Sequence, residues 1–285
     1  MTMSSPAAGA FFLEVAGGQR FCLFHAPRGS VRGALVYVHP FADEMNKSRR
    51  VAAEQGRALA AAGFAVLQID LLGCGDSSGD FVDARWDAWK ADVNAAIDWL
   101  HDRFGMPVTL LGLRLGGLLA LDVAHDSARP LARVLLWNPV QSGAAFLKQY
   151  LRLLTVNQML AEGKAAGPAG DARAELLNGG AVEVAGYELS SQLAIAIDAC
   201  DAANLAVTAC PVDWIETVSS LERPAAPAVT RLLDKWRAAG VAAELHRVAG
   251  PSFWATQEIE EAPALVEATT ALLLAAAVPR EMAAS

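Results

Sequence analysis

Two hydrophobic periods alternate along this chain. Continuous apolar runs at Ala34–His39, Phe64–Leu71, Val108–Leu113, Val134–Trp137 and Val212–Val218 predict buried strands. Between them, apolar residues recur at three- and four-residue spacing, which predicts helices. The clearest helical stretch is Asp83–Phe104, where Trp86, Trp89, Val93, Ile97 and Leu100 fall on one stripe. Such a stripe faces a core, so the two tryptophans read as packing groups and not as a ligand cage. Lys47–Ala62 and Leu115–His125 are further helices, and Gly63 suits the residue after a helix end. Phe11–Val15 and Arg20–His25 flank Gly17-Gly18 and predict an opening hairpin. A helix Ala228–Ala239, a strand Val241–Val248 and a helix Ala262–Ala277 close the chain. Strands rich in Val, Leu and Ile, joined by helices, imply a mainly parallel central sheet with helices on both faces.

The rhythm changes from Ser142 to about Ala203. An amphipathic helix Phe146–Glu162 is followed by a Gly/Ala/Pro stretch, Gly163–Gly170. A small hairpin is predicted over Val182–Leu189 around Gly186, then a helix Ser190–Cys200 with Ser190 as its N-cap. This segment interrupts two sheet strands. It is expected to be a cap inserted at about 142–203 into a single domain spanning 1–285.

Composition narrows the partners. Of 285 residues, 54% are hydrophobic and 19% charged, enough for a core without disulfides or metals. The formal charge is −8 and no Lys/Arg run occurs, which argues against nucleic acid as a partner. Cys22, Cys74, Cys200 and Cys210 lack metal-type spacing and read as reduced thiols. No signal-peptide pattern is seen near Met1, and Ala271–Val278 is too short to span a bilayer. A cytoplasmic globular protein is therefore expected. Neither a phosphate-loop nor a dinucleotide motif occurs, since Gly73-Cys74-Gly75 is too short for the latter, so no cofactor and no metal is expected.

One turn carries most of the chemical information. Gly112-Leu113-Arg114-Leu115-Gly116 joins a strand to a helix in the G-x-S-x-G frame of a nucleophile elbow. Arg114 occupies the nucleophile position. A guanidinium stays protonated near neutrality and has no usable lone pair, so it cannot attack a carbonyl. Two readings remain open. Arg114 binds an anionic ligand, or it pairs with a carboxylate in a sealed site, with Asp43 and Glu44 the nearest sequence candidates and Glu222 a third.

Strand order, elbow and cap together resemble the α/β-hydrolase fold. Three stretches narrow the resemblance: His39–Arg50, Gln68–Gly79 and Gly250–Trp254. They resemble the exosortase A system-associated hydrolase 2 family. The resemblance implies a hydrolase acting on ester or acyl bonds, near bacterial exopolysaccharide and protein-sorting systems. Together with an anion-binding reading of Arg114, it suggests a small-molecule or acylated, anionic saccharide ligand.

The rest of a hydrolytic site is incomplete in the sequence. By position, the oxyanion amides belong to Phe41 and Leu115, with Pro40 in place of the usual glycine. His39 reads as a strand-end histidine. Glu222 best matches the acid position, with Asp213 and Glu216 inside the strand, though Glu222 also reads as a solvated loop carboxylate. The loop after the last strand supplies Ser252 and Trp254 to the candidate ligand set, but no histidine; His246 falls too early. Cys74 is an alternative nucleophile if a cation lowers its pKa; otherwise it belongs to a tight turn. Without nucleophile and base, ordinary Ser-His-Asp catalysis is not expected.

Overall fold

A computed structural model describes residues 8–162, 172–174, 176 and 178–277. The stretch Gly163–Gly170 lies outside the described residues. The opening hairpin is β1 (Gly9–Val15) and β2 (Gly18–His25). The core follows as β3 (Gly33–Val38), α1 (Asp43–Ala61), β4 (Phe64–Ile69), α2 (Trp86–Phe104), β5 (Val108–Leu113), α3 (Leu115–His125) and β6 (Leu131–Trp137). An excursion comprises α4 (Gly143–Glu162), β7 (Ala181–Val184), β8 (Tyr187–Ser190) and α5 (Ser191–Ala199). The core resumes with β9 (Val212–Val218), α6 (Pro227–Ala238), β10 (Ala243–Ala249) and α7 (Pro263–Ala277).

Eight strands form one sheet in the order β1-β2-β4-β3-β5-β6-β9-β10, and β7 and β8 form a separate hairpin. Strand β2 runs antiparallel to β1 and β4, and the other neighbouring pairs are parallel. Buried side chains divide between the two faces. One cluster joins alternate strand positions such as Val36, Leu110 and Leu136 to α2, α3 and α6. The other joins Leu35, Leu111, Leu135 and Ile215 to α1 and α7. Because parallel strands feed helices on both faces, their C-terminal ends and the loops beyond them line one edge.

Two local features hold this arrangement. Arg20 of β2 and Asp92 of α2 are 1% and 3% exposed, and Arg20 Nε donates to Asp92 Oδ1 at 2.7 Å. The second Asp92 oxygen accepts from the Leu72 amide at 2.8 Å, which ties the turn after β4 to α2. In the excursion, Ser190 caps α5 as its sequence position predicts. Its Oγ accepts from Leu193 N at 3.3 Å and from Arg85 Nη1 at 3.1 Å. Ser190→Ala is expected to lower stability by about 1 kcal/mol, read as a shift in the urea midpoint.

Candidate active site

The turn between β5 and α3 is built by close approach. A Cβ on Gly112 would lie 2.4 Å from the Gly116 carbonyl oxygen, and one on Gly116 would lie 2.3 Å from that of His39. Strand, helix and the end of β3 therefore meet at a distance only glycine allows. Between the glycines, Arg114 adopts φ 55°, ψ −119°. This strained backbone costs of order 1–3 kcal/mol and occurs where surrounding structure imposes it. Arg114 N donates to the Trp137 carbonyl, and the Arg114 carbonyl accepts from the amides of Gly117 and Val140. The elbow geometry is thus present with arginine at its apex.

The Arg114 side chain is held on three sides. Its Nε lies 3.3 Å from Glu44 Oε1, and Nη1 donates to the Asn138 carbonyl at 3.2 Å. Its guanidinium carbon lies 5.5 Å from the centre of the Trp254 ring, a cation–π contact. Of the three carboxylates considered from sequence, Glu44 is the partner. It stands in the first turn of α1, whose N-cap Ala42 also has an unusual backbone, φ 50°, ψ −129°. Burial pushes the Glu44 carboxyl above the usual range, while Arg114 and Lys47 pull it back. Its second oxygen, Oε2, is buried with no partner among the described residues.

The remaining sequence candidates separate. Phe41 and Leu115 border the same small cavity, and neither amide donates to an acceptor among the described residues. With His39, Cys74, Trp86 and Leu119 they line a cavity of about 10 Å³, room for no more than one water. His39 is neutral and fully used: burial lowers its pKa, Nδ1 lies 2.8 Å from the Pro40 carbonyl, and Nε2 accepts from Leu71 N at 3.2 Å. The Cys74 thiol is buried and pushed well up by desolvation, with Asp70 and Asp92 adding to the shift, so it does not supply a thiolate. Glu222 is exposed on its loop, its amide donating to Ser220 Oγ, and it forms no ion pair with Arg114. Ser252 is also exposed, and its carbonyl accepts from Ala255 N. Trp254, two residues on, is the member of that loop that reaches Arg114.

Asn138 was not visible as a site residue in the sequence. Its left-handed backbone, φ 42°, turns the chain at the end of β6. Its Oδ1 accepts from Thr217 N at 2.9 Å and Thr217 Oγ1 at 3.0 Å, fastening β6 to β9 beside Arg114. The available signal was its place before Pro139 at a strand end next to the elbow.

Aromatic side chains fill the space above the turn. Phe41 packs edge-to-face on Phe81, Phe146 and Tyr150 at 5.2, 5.6 and 5.0 Å. Phe81 meets Tyr187 at 5.1 Å, and Asn46 Nδ2 donates to Tyr187 Oη at 3.1 Å. The excursion is therefore seated beside the Phe41 loop, and among the described residues these rings leave the cavity of about 10 Å³ next to Phe41 and Leu115. Two of the motif stretches, His39–Arg50 and Gln68–Gly79, interlock below it. Arg49 forks onto Asp70, the Asp76 amide donates to Asp70 Oδ2, and Ser77 Oγ donates to the Asp70 carbonyl. Gly75, at φ 56°, is forced by this packing, because a Cβ there would lie 1.9 Å from Asp70 Oδ2.

Comparison with known proteins fits this layout. Residues 29–169 match the family model described as serine aminopeptidase, S33. No curated protein matches the sequence. Among solved structures, Est1E from Butyrivibrio proteoclasticus is similar with a TM-score of 0.65 at 16% identity, over 94% of this chain and 99% of that one. The same protein with ferulic acid bound gives 0.64 at 15%, over 93% and 98%. A thermostable carboxyl esterase from Bacillus coagulans gives 0.62 at 13%, over 95% and 99%.

Proposed function

The chain has the α/β-hydrolase fold, and on that scaffold we propose a protein of bacterial exopolysaccharide and exosortase systems that holds an anionic acyl or acylated-saccharide ligand without Ser-His-Asp chemistry. The observation that carries this reading is the Arg114 apex. A fixed cation with spare N–H donors stands at the elbow apex, where esterases carry a nucleophile, and the loop after β10, from which they supply a histidine, brings Trp254 to it instead. The exosortase assignment rests on the resemblance of the three motif stretches. Ligand entry requires the 142–203 segment to act as a cap and lift Phe146 and Tyr150 from Phe41, and Tyr187 from Phe81.

A second reading is favoured by Glu44. A buried carboxylate with a free oxygen, next to two unengaged amides, has the parts to deprotonate a water and stabilise an oxyanion. In that case the protein is a hydrolase with Glu44 as general base. Purified protein tested on short p-nitrophenyl esters and acyl thioesters separates the two. We expect no turnover above background, none gained in Arg114→Ser, and thermal stabilisation by carboxylated or phosphorylated sugars that Arg114→Ala abolishes. Turnover lost in Glu44→Gln would overturn the binding reading in favour of the second.

A further inference from the structure

A different cluster lies at the other edge of the sheet, where the parallel strands begin. Register places Glu244 of β10 beside Asp213 of β9, and the two-residue repeat puts His246 on the same face as Glu244. His246 Nε2 is 2.8 Å from Asp213 Oδ1 and 3.7 Å from Glu244 Oε2. One nitrogen and two carboxylate oxygens thus lie within 4.8 Å of one another. All three residues border a solvent-open cleft of about 1270 Å³ between the strand ends and the last turns of α7, with the Asp213 side chain buried at its floor. Asp213 stands roughly 15 Å along β9 from the elbow edge. Neither the Arg114 site nor its ligand reading uses any of these groups.

We propose that Asp213, Glu244 and His246 bind a transition-metal dication of the Zn²⁺ class. A tetrahedral ion with bonds of about 2.1 Å needs ligand atoms about 3.4 Å apart. The two separations from His246 Nε2 bracket that value, and the Asp213–Glu244 pair lies within 4.8 Å, so the exposed Glu244 side chain must close the remaining gap. One imidazole with two carboxylates suits Zn²⁺ or Mn²⁺ better than Mg²⁺ or Ca²⁺, which take all-oxygen shells. Arg133 Nη1 bonds the other oxygen of Asp213, in the way outer partners fix a ligating carboxylate. Two carboxylates and one guanidinium leave a single net negative charge for the dication. The cavity leaves the fourth position to water and gives the ion a way in. The sequence hid this site because its ligands sit on two strands and follow no local spacing motif.

Calorimetric titration of the full chain with ZnCl₂, with MgCl₂ as control, tests the proposal. We expect one Zn²⁺ bound per chain and no Mg²⁺ response at the same concentrations. His246→Gln and Glu244→Gln, both on accessible side chains, are expected to weaken Zn²⁺ at least about tenfold, while Cys200→Ser leaves it unchanged. Unfolding midpoints without metal show that each variant is folded. Absence of Zn²⁺ binding, or binding that survives both Gln substitutions, overturns the site. Loss in Cys200→Ser would place the ion on a thiol and overturn it equally.

Discussion

Replacing Asp92 with alanine is expected to lower the unfolding free energy by about 3–5 kcal/mol, the cost of leaving a buried charge without its counter-ion. Arg20 is 1% exposed, and its carboxylate partner lies 2.7 Å away. Among the described residues its one other acceptor is the Gln19 carbonyl at 3.2 Å. A guanidinium cannot shed its proton to escape the low-dielectric interior. The variant also orphans the Leu72 amide, which donates to Asp92 Oδ2. Urea unfolding of Asp92→Ala reads the loss directly. The double variant Arg20→Met with Asp92→Leu is expected to regain most of it, because removing both charges removes the desolvation penalty. Arg129–Asp98, half-exposed on both sides, supplies the contrast: Asp98→Ala is expected to cost less than about 1 kcal/mol. A loss below 1 kcal/mol in Asp92→Ala would mean that water reaches Arg20.

The fold was legible because its signals are local. Val108–Leu113, Leu115–His125 and Val212–Val218 have the bounds their apolar runs predict. One helix starts earlier than its apolar stripe: α1 begins at Asp43, not Lys47, after the turn at Ala42, and Asp43 and Glu44 in its first turn suit the positive end of the helix. Trp86 and Trp89 pack as their stripe predicts, and their ring nitrogens find Asp122 and the Leu72 carbonyl. The site was legible only in part. The G-x-R-x-G frame gave the elbow and put Glu44 among the candidate partners. That Trp254 carries the site and Ser252 faces outward depends on how one loop turns, which no periodicity encodes. The filling of the pocket likewise depends on Phe146, Tyr150 and Tyr187 arriving from a segment remote in sequence. Asn138 acts through an unusual backbone angle and bonds to another strand, and neither leaves a mark on composition.

Arg114→Ala is expected to cost about 1–3 kcal/mol at pH 7 and much less at pH 4. The pair is about a fifth exposed on each side, so the loss stays below that of a fully buried pair. The pH dependence comes from Glu44. Burial already holds its folded-state pKa above the unfolded value of about 4.3, and Arg114 opposes that rise. Without Arg114 the folded pKa climbs further. A carboxyl with a raised folded pKa binds more protons when folded, so stability falls as pH rises from the unfolded pKa through the folded one. Below that window Glu44 is protonated in both states, and removing the cation no longer strands a charge. Urea unfolding at pH 4, 5, 6 and 7 should show the gap between wild type and Arg114→Ala opening as pH rises. In a Glu44→Gln background the same substitution should give a gap that does not change with pH. A constant gap in both backgrounds would assign the role of Arg114 to its packing on Trp254. The elbow arginine would then be held there by an aromatic face and not by charge.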